Sequence, residues 1–372
     1  MNALPRMKRD DYQMGETPKP DMGEVPEGHE LKKDFSESIY DAANATVLFH
    51  HLDPLKKFLR DNALNEVCIN RPGEVWTEGR AGWRRYEVPQ CDFLWCERFG
   101  TLVGNANRKE ISTVAPIMSA SLPSGERTQV IFSPACPQKT VSITIRKPSF
   151  VDLSLDDLDN GGTFAEVQMV SNELTDGEKE LLHLRETEQI KAFLQKAVLL
   201  KRNILLVGKT GSGKTTVIKS LIDVIPKDER LITIEDVHEL PMRNHPNKVH
   251  LFYAREEEGG SRVTAKSALA SCLRMKPDRI MLSELRGDEA WEFVKSVSTG
   301  HPGSISSMHA NGAYEAFEQL TSFIKDSETG RHLDTDYIKH RLFTTLDVIL
   351  FFDRFKLREI YYEPERKRQK MG

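Results

Sequence analysis

Ile204-Leu205-Leu206-Val207-Gly208-Lys209-Thr210-Gly211-Ser212-Gly213-Lys214-Thr215-Thr216 carries an apolar run into a glycine-rich turn that closes on Lys and Thr. It fills every position of the phosphate-binding loop pattern, G-x-x-x-x-G-K-[ST]. Glycines at 208, 211 and 213 let the backbone turn tightly, so that successive N–H groups point at phosphate oxygens. Lys214 supplies a positive charge for the β and γ phosphates, and the Thr215 hydroxyl is placed to bind Mg²⁺. The apolar run reads as a buried strand, and Thr216 to Val224 has the spacing of a helix packed on a sheet. The loop from Gly208 to Thr216 is therefore expected to hold a nucleoside triphosphate, with ATP and Mg²⁺ as the cofactors. A glycine turn without function would have to place three glycines, Lys and Thr in register by chance.

Further segments carry polar groups at the ends of apolar strands, where a parallel α/β sheet exposes its ligands. Leu231 to Ile234 ends in Glu235-Asp236, with Glu239 beyond them, and Ile280 to Leu282 ends in Ser283-Glu284, with Arg286 nearby. A carboxylate so placed can hold the Mg²⁺ shell or orient and deprotonate an attacking water. Any one of them alone is an ordinary surface acid. The accompanying phosphate loop favours Glu284 as functional and leaves Glu235 and Asp236 balanced between the two readings. In Ser298 to Asn311, Gly300 and Pro302-Gly303 turn the chain and Ser304 to Met308 reads as a strand. His309 would emerge at its end as a donor toward a phosphate or carboxylate, although a histidine beside small residues is more often structural. Asp347 to Phe352 reads as one more strand, without chemistry.

A chain of 372 residues is long enough for two domains, each with its own core. A net charge of −4 and a pI near 6.3 give no broad basic surface, so stable direct DNA binding is not expected. The basic cluster Arg366, Lys367, Arg368 and Lys370 reads as a solvated terminus rather than a site for an anionic partner. Five cysteines without a Cys-x-x-Cys pair read as free thiols in a reducing compartment. Lys8, Arg9 and Asp10 stand where a signal peptide needs an apolar stretch, and no run approaches the roughly 18 to 20 apolar residues of a membrane span. The expected location is cytoplasmic.

The spacing divides the chain into residues 1–34, charged, proline-rich and expected to be disordered; a small α+β domain over 35–148; a linker over 149–163; a larger α/β domain over 164–355; and a basic tail over 356–372. In the first domain, helical spacing from Ile39 is broken at Asp53-Pro54. A hairpin follows, from Glu66–Asn70 to Glu74–Glu78 about Arg71-Pro72-Gly73, then a helix over Leu94–Asn105 and strands at Gln129–Ser133 and Val141–Ile145. Leu153 to Gly162 is acidic and ends in two glycines, as a hinge would. From about Phe164 the chain turns helical, with Ile190, Phe193, Leu194, Ala197, Val198 and Leu200 on one side.

The succession of phosphate loop, Ile232-Thr233-Ile234-Glu235-Asp236-Val237-His238-Glu239-Leu240, then the Leu273 to Ala290 segment, then Gly300-His301-Pro302-Gly303 through Met308-His309-Ala310-Asn311, closely resembles the secretion-ATPase superfamily. Within it, the best match is the traffic ATPases of type IV secretion and conjugation systems. Leu64 to Gly73, Leu122 to Arg127 and Ser142 to Pro148 resemble that family's N-terminal signatures, so the resemblance spans roughly residues 40–355. It implies a RecA-like P-loop NTPase domain preceded by a domain that clamps the nucleotide. It also implies assembly as a homo-hexamer, peripheral at the cytoplasmic face of the inner membrane, with other type IV secretion ATPases and inner-membrane components as partners. By motif position, Lys214 and Thr215 would hold phosphate and Mg²⁺. Glu239 would be the essential acid of the aspartate box, Glu284 the Walker B glutamate near the metal, directly or through water, and His309 the histidine-box residue. Arg127 and Arg146 match the family's N-terminal arginines that reach toward the γ-phosphate.

Ser283 stands where the superfamily prefers Gly, and Ser307 where Thr is common; both are small replacements. The absence of a tetracysteine metal site argues against the type II secretion branch. The implied activity is ATP hydrolysis powering pilus biogenesis or export of protein or DNA. Three alternatives compete with it: a type II secretion or type IV pilus motor, a nucleotide-gated scaffold that recruits a coupling protein, and a DNA-translocating ring, which the acidic pI disfavours. The long run from Arg146 to the phosphate loop leaves open how the two domains pack and whether neighbouring subunits exchange them.

Overall fold

The computed structural model describes residues 42–148, 153–167, 169–254 and 263–371. The expectation for residues 1–34 lies outside them. The described part opens with helix α1 (Ala42–His51), a 3-10 turn begun by Asp53-Pro54, and α2 (Lys56–Arg60). Proline suits the first turn of a helix because its missing N–H has no partner there. Six strands form the first sheet: β1 (Leu64–Ile69), β2 (Glu74–Gly79), β3 (Gly82–Glu87), β4 (Ile117–Ser121), β5 (Arg127–Ile131) and β6 (Ser142–Arg146). Their order is β3-β2-β1-β6-β5-β4, with every neighbouring pair antiparallel. Helix α3 (Phe93–Ala106) is capped by Asp92, which accepts from the Trp95 N–H at 2.7 Å. Its buried face joins Leu48, Leu55, Val67, Val130 and Ile143 in one core.

In the segment read as a linker, Ser154 and Asp157 make a reciprocal capping box that starts a short exposed helix, α4 (Leu155–Asn160). Residues 149–152 lie outside the described part. Helices α5 (Asp176–Glu186) and α6 (Ile190–Leu199) follow, so helix begins later than Phe164.

The second sheet contains β7 (Ile204–Gly208), β8 (Leu231–Glu235), β9 (Lys248–Phe252), β10 (Arg279–Leu282), β11 (Ile305–Met308), β12 (Val348–Asp353) and β13 (Lys356–Tyr361). In the order β13-β12-β7-β11-β10-β8-β9 all pairs are parallel except β12 with β13. Alternate residues of a strand face opposite sides. Leu205 and Val207 thus join one core with α8 (Ala265–Cys272), α9 (Glu289–Ser298), α10 (Ala313–Asp326) and α11 (Thr335–Thr345), while Ile204 and Leu206 join another with α5, α6 and α7 (Lys214–Ile222). A mostly parallel sheet covered on both faces is the expected α/β architecture.

The basic cluster near the end is not a solvated tail. Leu357 and Ile360 pack β13 against the core, and α12 (Pro364–Met371) lays part of its charge against acids and an aromatic ring of other elements while Lys370 stays exposed. Arg368 reaches Glu178 of α5 at 2.6 Å, Lys367 reaches Asp347 at 2.7 Å, and the Arg366 guanidinium lies 4.5 Å from the centre of the Phe343 ring. A cluster of like charges read along the chain conceals acids brought to it from distant elements.

The two sheets meet through mixed contacts. Arg230, fully buried, donates to Asn70 at 2.8 Å and Asn247 at 2.7 Å, and Gln129 donates to Ser271 at 2.8 Å. Beside them Ile131, Ala135 and Cys136 enter the same apolar core as Cys272 of α8. All five cysteines are free and buried. Burial pushes the Cys68 and Cys136 thiols up to about 11, and those of Cys96 and Cys272 further.

Candidate nucleotide site

The glycine-rich turn follows β7 and opens onto the N-terminus of α7, the strand–loop–helix context the motif requires. Gly208 has φ +145°, and a Cβ there would lie 2.2 Å from the Phe352 carbonyl oxygen of the adjoining strand, so no larger residue fits. Lys214 is nearly buried, its Nζ donating to the carbonyls of Gly208 at 2.6 Å and Lys209 at 3.0 Å. Burial lowers its pKa, with the Glu284 carboxylate opposing that shift. Ser212 Oγ is buried without a hydrogen-bond partner among the described residues, as suits a group that serves a ligand. Lys209, Thr210, Gly211 and Thr216 face solvent.

Three neighbouring strand ends bring the acidic and imidazole groups to this loop. Thr215 Oγ1 donates to Glu239 Oε2 at 3.2 Å. His309, just past β11, sets Nδ1 3.1 Å from the Gly208 carbonyl and Nε2 2.7 Å from Glu284 Oε1. Arg286 bonds the other Glu284 oxygen and reaches Asp236 at 3.2 Å. Ser307 Oγ donates to the Ser283 backbone carbonyl at 2.7 Å and so ties β11 to the end of β10 at this edge, a bond that needs only the main chain of residue 283.

Glu235 and Glu239 have different work, which their shared chemistry conceals. Glu235 is fully buried, and its Oε2 accepts from the N–H groups of Glu239 and Leu240, each at 2.7 Å, which fixes the backbone that presents Glu239. Burial alone would raise the Glu235 carboxyl, but hydrogen bonds from His250, Thr233 and the Leu240 N–H outweigh it and hold it below the ordinary range. Glu235, His238 and His250 bring three possible metal-ligand atoms within 4.8 Å of one another. Glu235's oxygens are already taken up by this network, so the cluster reads as a support for the Glu239 loop.

Arg127 and Arg146 do not join this group within one chain. They are register partners on β5 and β6, and they line a cleft with Asn107, Lys109 and Arg274 that contains no residue of the phosphate loop. Beside them Glu66 is buried, with Arg146 Nε 3.6 Å from its Oε1. Burial, against the pull of Arg146, raises the Glu66 carboxyl to about 7. A carboxyl higher in the folded than in the unfolded state contributes stability at acid pH that is lost as pH rises through its folded pKa. Glu66→Gln is therefore expected to stabilise the protein by about 1–3 kcal/mol at about pH 8 and to change little at about pH 5. Urea unfolding at both pH values checks this; equal effects at the two would remove the titration of Glu66 as the cause.

Residues 50–350 match the family model described as Type II/IV secretion system protein. The chain is 44% identical over 333 residues to the type IV secretion system protein VirB11 of Brucella suis, covering 87% of this chain and 92% of that protein. It is 41% identical over 341 residues to the Bartonella henselae VirB11, covering 88% and 96%. A crystal structure of the VirB11 ATPase from the Brucella suis type IV secretion system, in complex with sulphate, aligns with a TM-score of 0.84 at 42% identity over 88% of this chain and 98% of that one. By these matches the chain belongs to the Type II/IV secretion system protein family as a type IV secretion ATPase.

Proposed function

We propose that the loop from Gly208 to Thr216 binds ATP with Mg²⁺ and that Glu284 activates the attacking water. The observation that carries this is the convergence of Lys214, the Thr215–Glu239 pair and the Glu284–His309 pair at the ends of adjoining strands. Lys214 places its charge on the β and γ phosphates, and Glu284 accepts the proton of the water, its carboxylate oriented by His309 and Arg286. Thr215, Glu239 and Glu284 present hard oxygen ligands of the kind Mg²⁺ prefers, and they would hold it. The bound ion would neutralise charge on the phosphates. Arg127 and Arg146 would reach a γ-phosphate after movement of the first domain or from a neighbouring subunit, stabilising charge that develops during transfer.

In this reading residues 35–148 form the moving body and 164–355 the ATPase body of a hexameric ring. The ring sits peripherally at the cytoplasmic face of the inner membrane with other secretion components, and rigid-body motion drives pilus biogenesis or export. Among the described residues no helix is long and apolar enough to cross a membrane. Steady-state hydrolysis by the full chain, with light scattering from a sizing column, tests the reading. Turnover by a hexamer that chelation of Mg²⁺ stops and DNA leaves unchanged is expected. A monomer without turnover, or hydrolysis indifferent to chelation, would overturn it.

A further inference from the structure

The turn between β12 and β13 pairs Asp353 with Lys356 and leaves Arg354 and Phe355 as its two central residues. Both have left-handed backbones, with φ of 49° and 62°. A two-residue hairpin turn of this kind suits Asn-Gly, whereas a bulky side chain adopts it at a cost in strain. Strain held in a well-determined segment points to a task for the residue that bears it. Phe355 is also 77% exposed, while Leu357 and Ile360 of the same hairpin pack inward. Its ring is therefore not explained as part of either core.

The ring stands beside the phosphate loop. A Cβ added to Gly213 would lie 3.0 Å from Phe355 Cδ1, and Phe352 pairs with Gly208 in the sheet. The strand order then sets a direction. His309, Glu284 and Glu239 follow β11, β10 and β8, all on one side of β7, whereas β12 and its turn border the other. A triphosphate whose terminal phosphate faces Glu284 carries its nucleoside toward the β12 side, where Phe355 is an exposed aromatic next to the phosphate loop.

We propose that Phe355 stacks on the base of the bound nucleotide, a role that rests on the reading of the loop as a nucleotide site. An aromatic ring stacks on any base because every base has a π-face. Phe355 thus adds affinity for ATP and GTP alike without choosing between them.

The test uses the full-length protein with ATP, GTP and inorganic tripolyphosphate as probes. Phe355→Ala is expected to weaken ATP and GTP about tenfold or more and raise KM with kcat nearly kept, while tripolyphosphate affinity stays unchanged. Phe355→Trp is expected to retain ATP affinity and to show an emission change on ATP that tripolyphosphate does not cause and the parent lacks. Unchanged nucleotide affinity in Phe355→Ala, an equal loss for tripolyphosphate, or no added emission change in Phe355→Trp would overturn the stacking role. Lys214→Ala separates the two levels of inference: if it still binds ATP and tripolyphosphate as the parent does, the nucleotide-site reading itself fails.

Discussion

Glu284→Gln is expected to lower the turnover number for ATP by about 10²–10⁴ while leaving the ATP dissociation constant within a few-fold of the parent. The amide keeps the shape and can still lie against His309 and Arg286, but it cannot accept a proton from water. The carboxylate it replaces is mostly buried, with imidazole and guanidinium groups on its two oxygens, so its direction is set before substrate arrives. Lys214→Ala makes the contrast: it removes the charge that contacts phosphate and should lose binding and turnover together. Steady-state kinetics and equilibrium binding of both variants check the division. A Glu284→Gln enzyme that turns over normally would remove Glu284 as the base, and one that no longer binds ATP would make its role structural. The scaffold reading is tested by the same variant, since a scaffold keeps export working where a motor stops.

The largest loss of stability is expected far from the chemistry, at Glu229→Ala. Arg279 opens β10 with its guanidinium fully buried, and Glu229 meets it with two bonds of 2.7 and 2.9 Å. The remaining terminal nitrogen donates to the Val198 carbonyl at 2.7 Å. Removing the carboxylate leaves a buried cation without its counter-charge, which costs about 3–5 kcal/mol. Burial would raise the Glu229 carboxyl, but Arg279 and then Lys201 outweigh that and hold it low. A carboxyl lowered on folding contributes stability above its unfolded pKa that is lost as pH falls. The gap between parent and variant should therefore narrow in acid. The double change Glu229→Leu with Arg279→Met removes both charges and should fall well short of the single loss. Urea unfolding of the cycle measures the coupling; additive losses would show that the pair does not act as a unit.

What could be read from the sequence follows physical locality. The phosphate loop, β7 and α7 are contiguous and carry their own pattern, so their structure was legible. Glu284 and His309 were legible as polar residues ending short apolar strands. Edge strands β3 and β13 were not, because they bury little and residues such as Arg84, Arg85 and Arg358 break the apolar alternation. Glu239 was singled out over Glu235 only through the family resemblance, since the physical difference lies in the burial of Glu235 and in its partners Thr233 and His250. The adjacency of Arg127 and Arg146 depends on strand register. The role of the final basic cluster depends on Glu178 and Asp347, which reach it only through the tertiary fold.

The buried thiols carry a consequence for following the machine at work. Cys136 comes from the first sheet's side and Cys272 from α8, and they share the core where the two bodies meet. With both sulfurs shielded and their thiolate forms disfavoured, an alkylating reagent would reach them when the proposed motion parts that seam. Cys91 and Cys96 pack within the first sheet's own core and would stay covered if the proposed first body swung as a unit. The ratio of modification between these two sets of cysteines would then distinguish the proposed hinge opening from local melting.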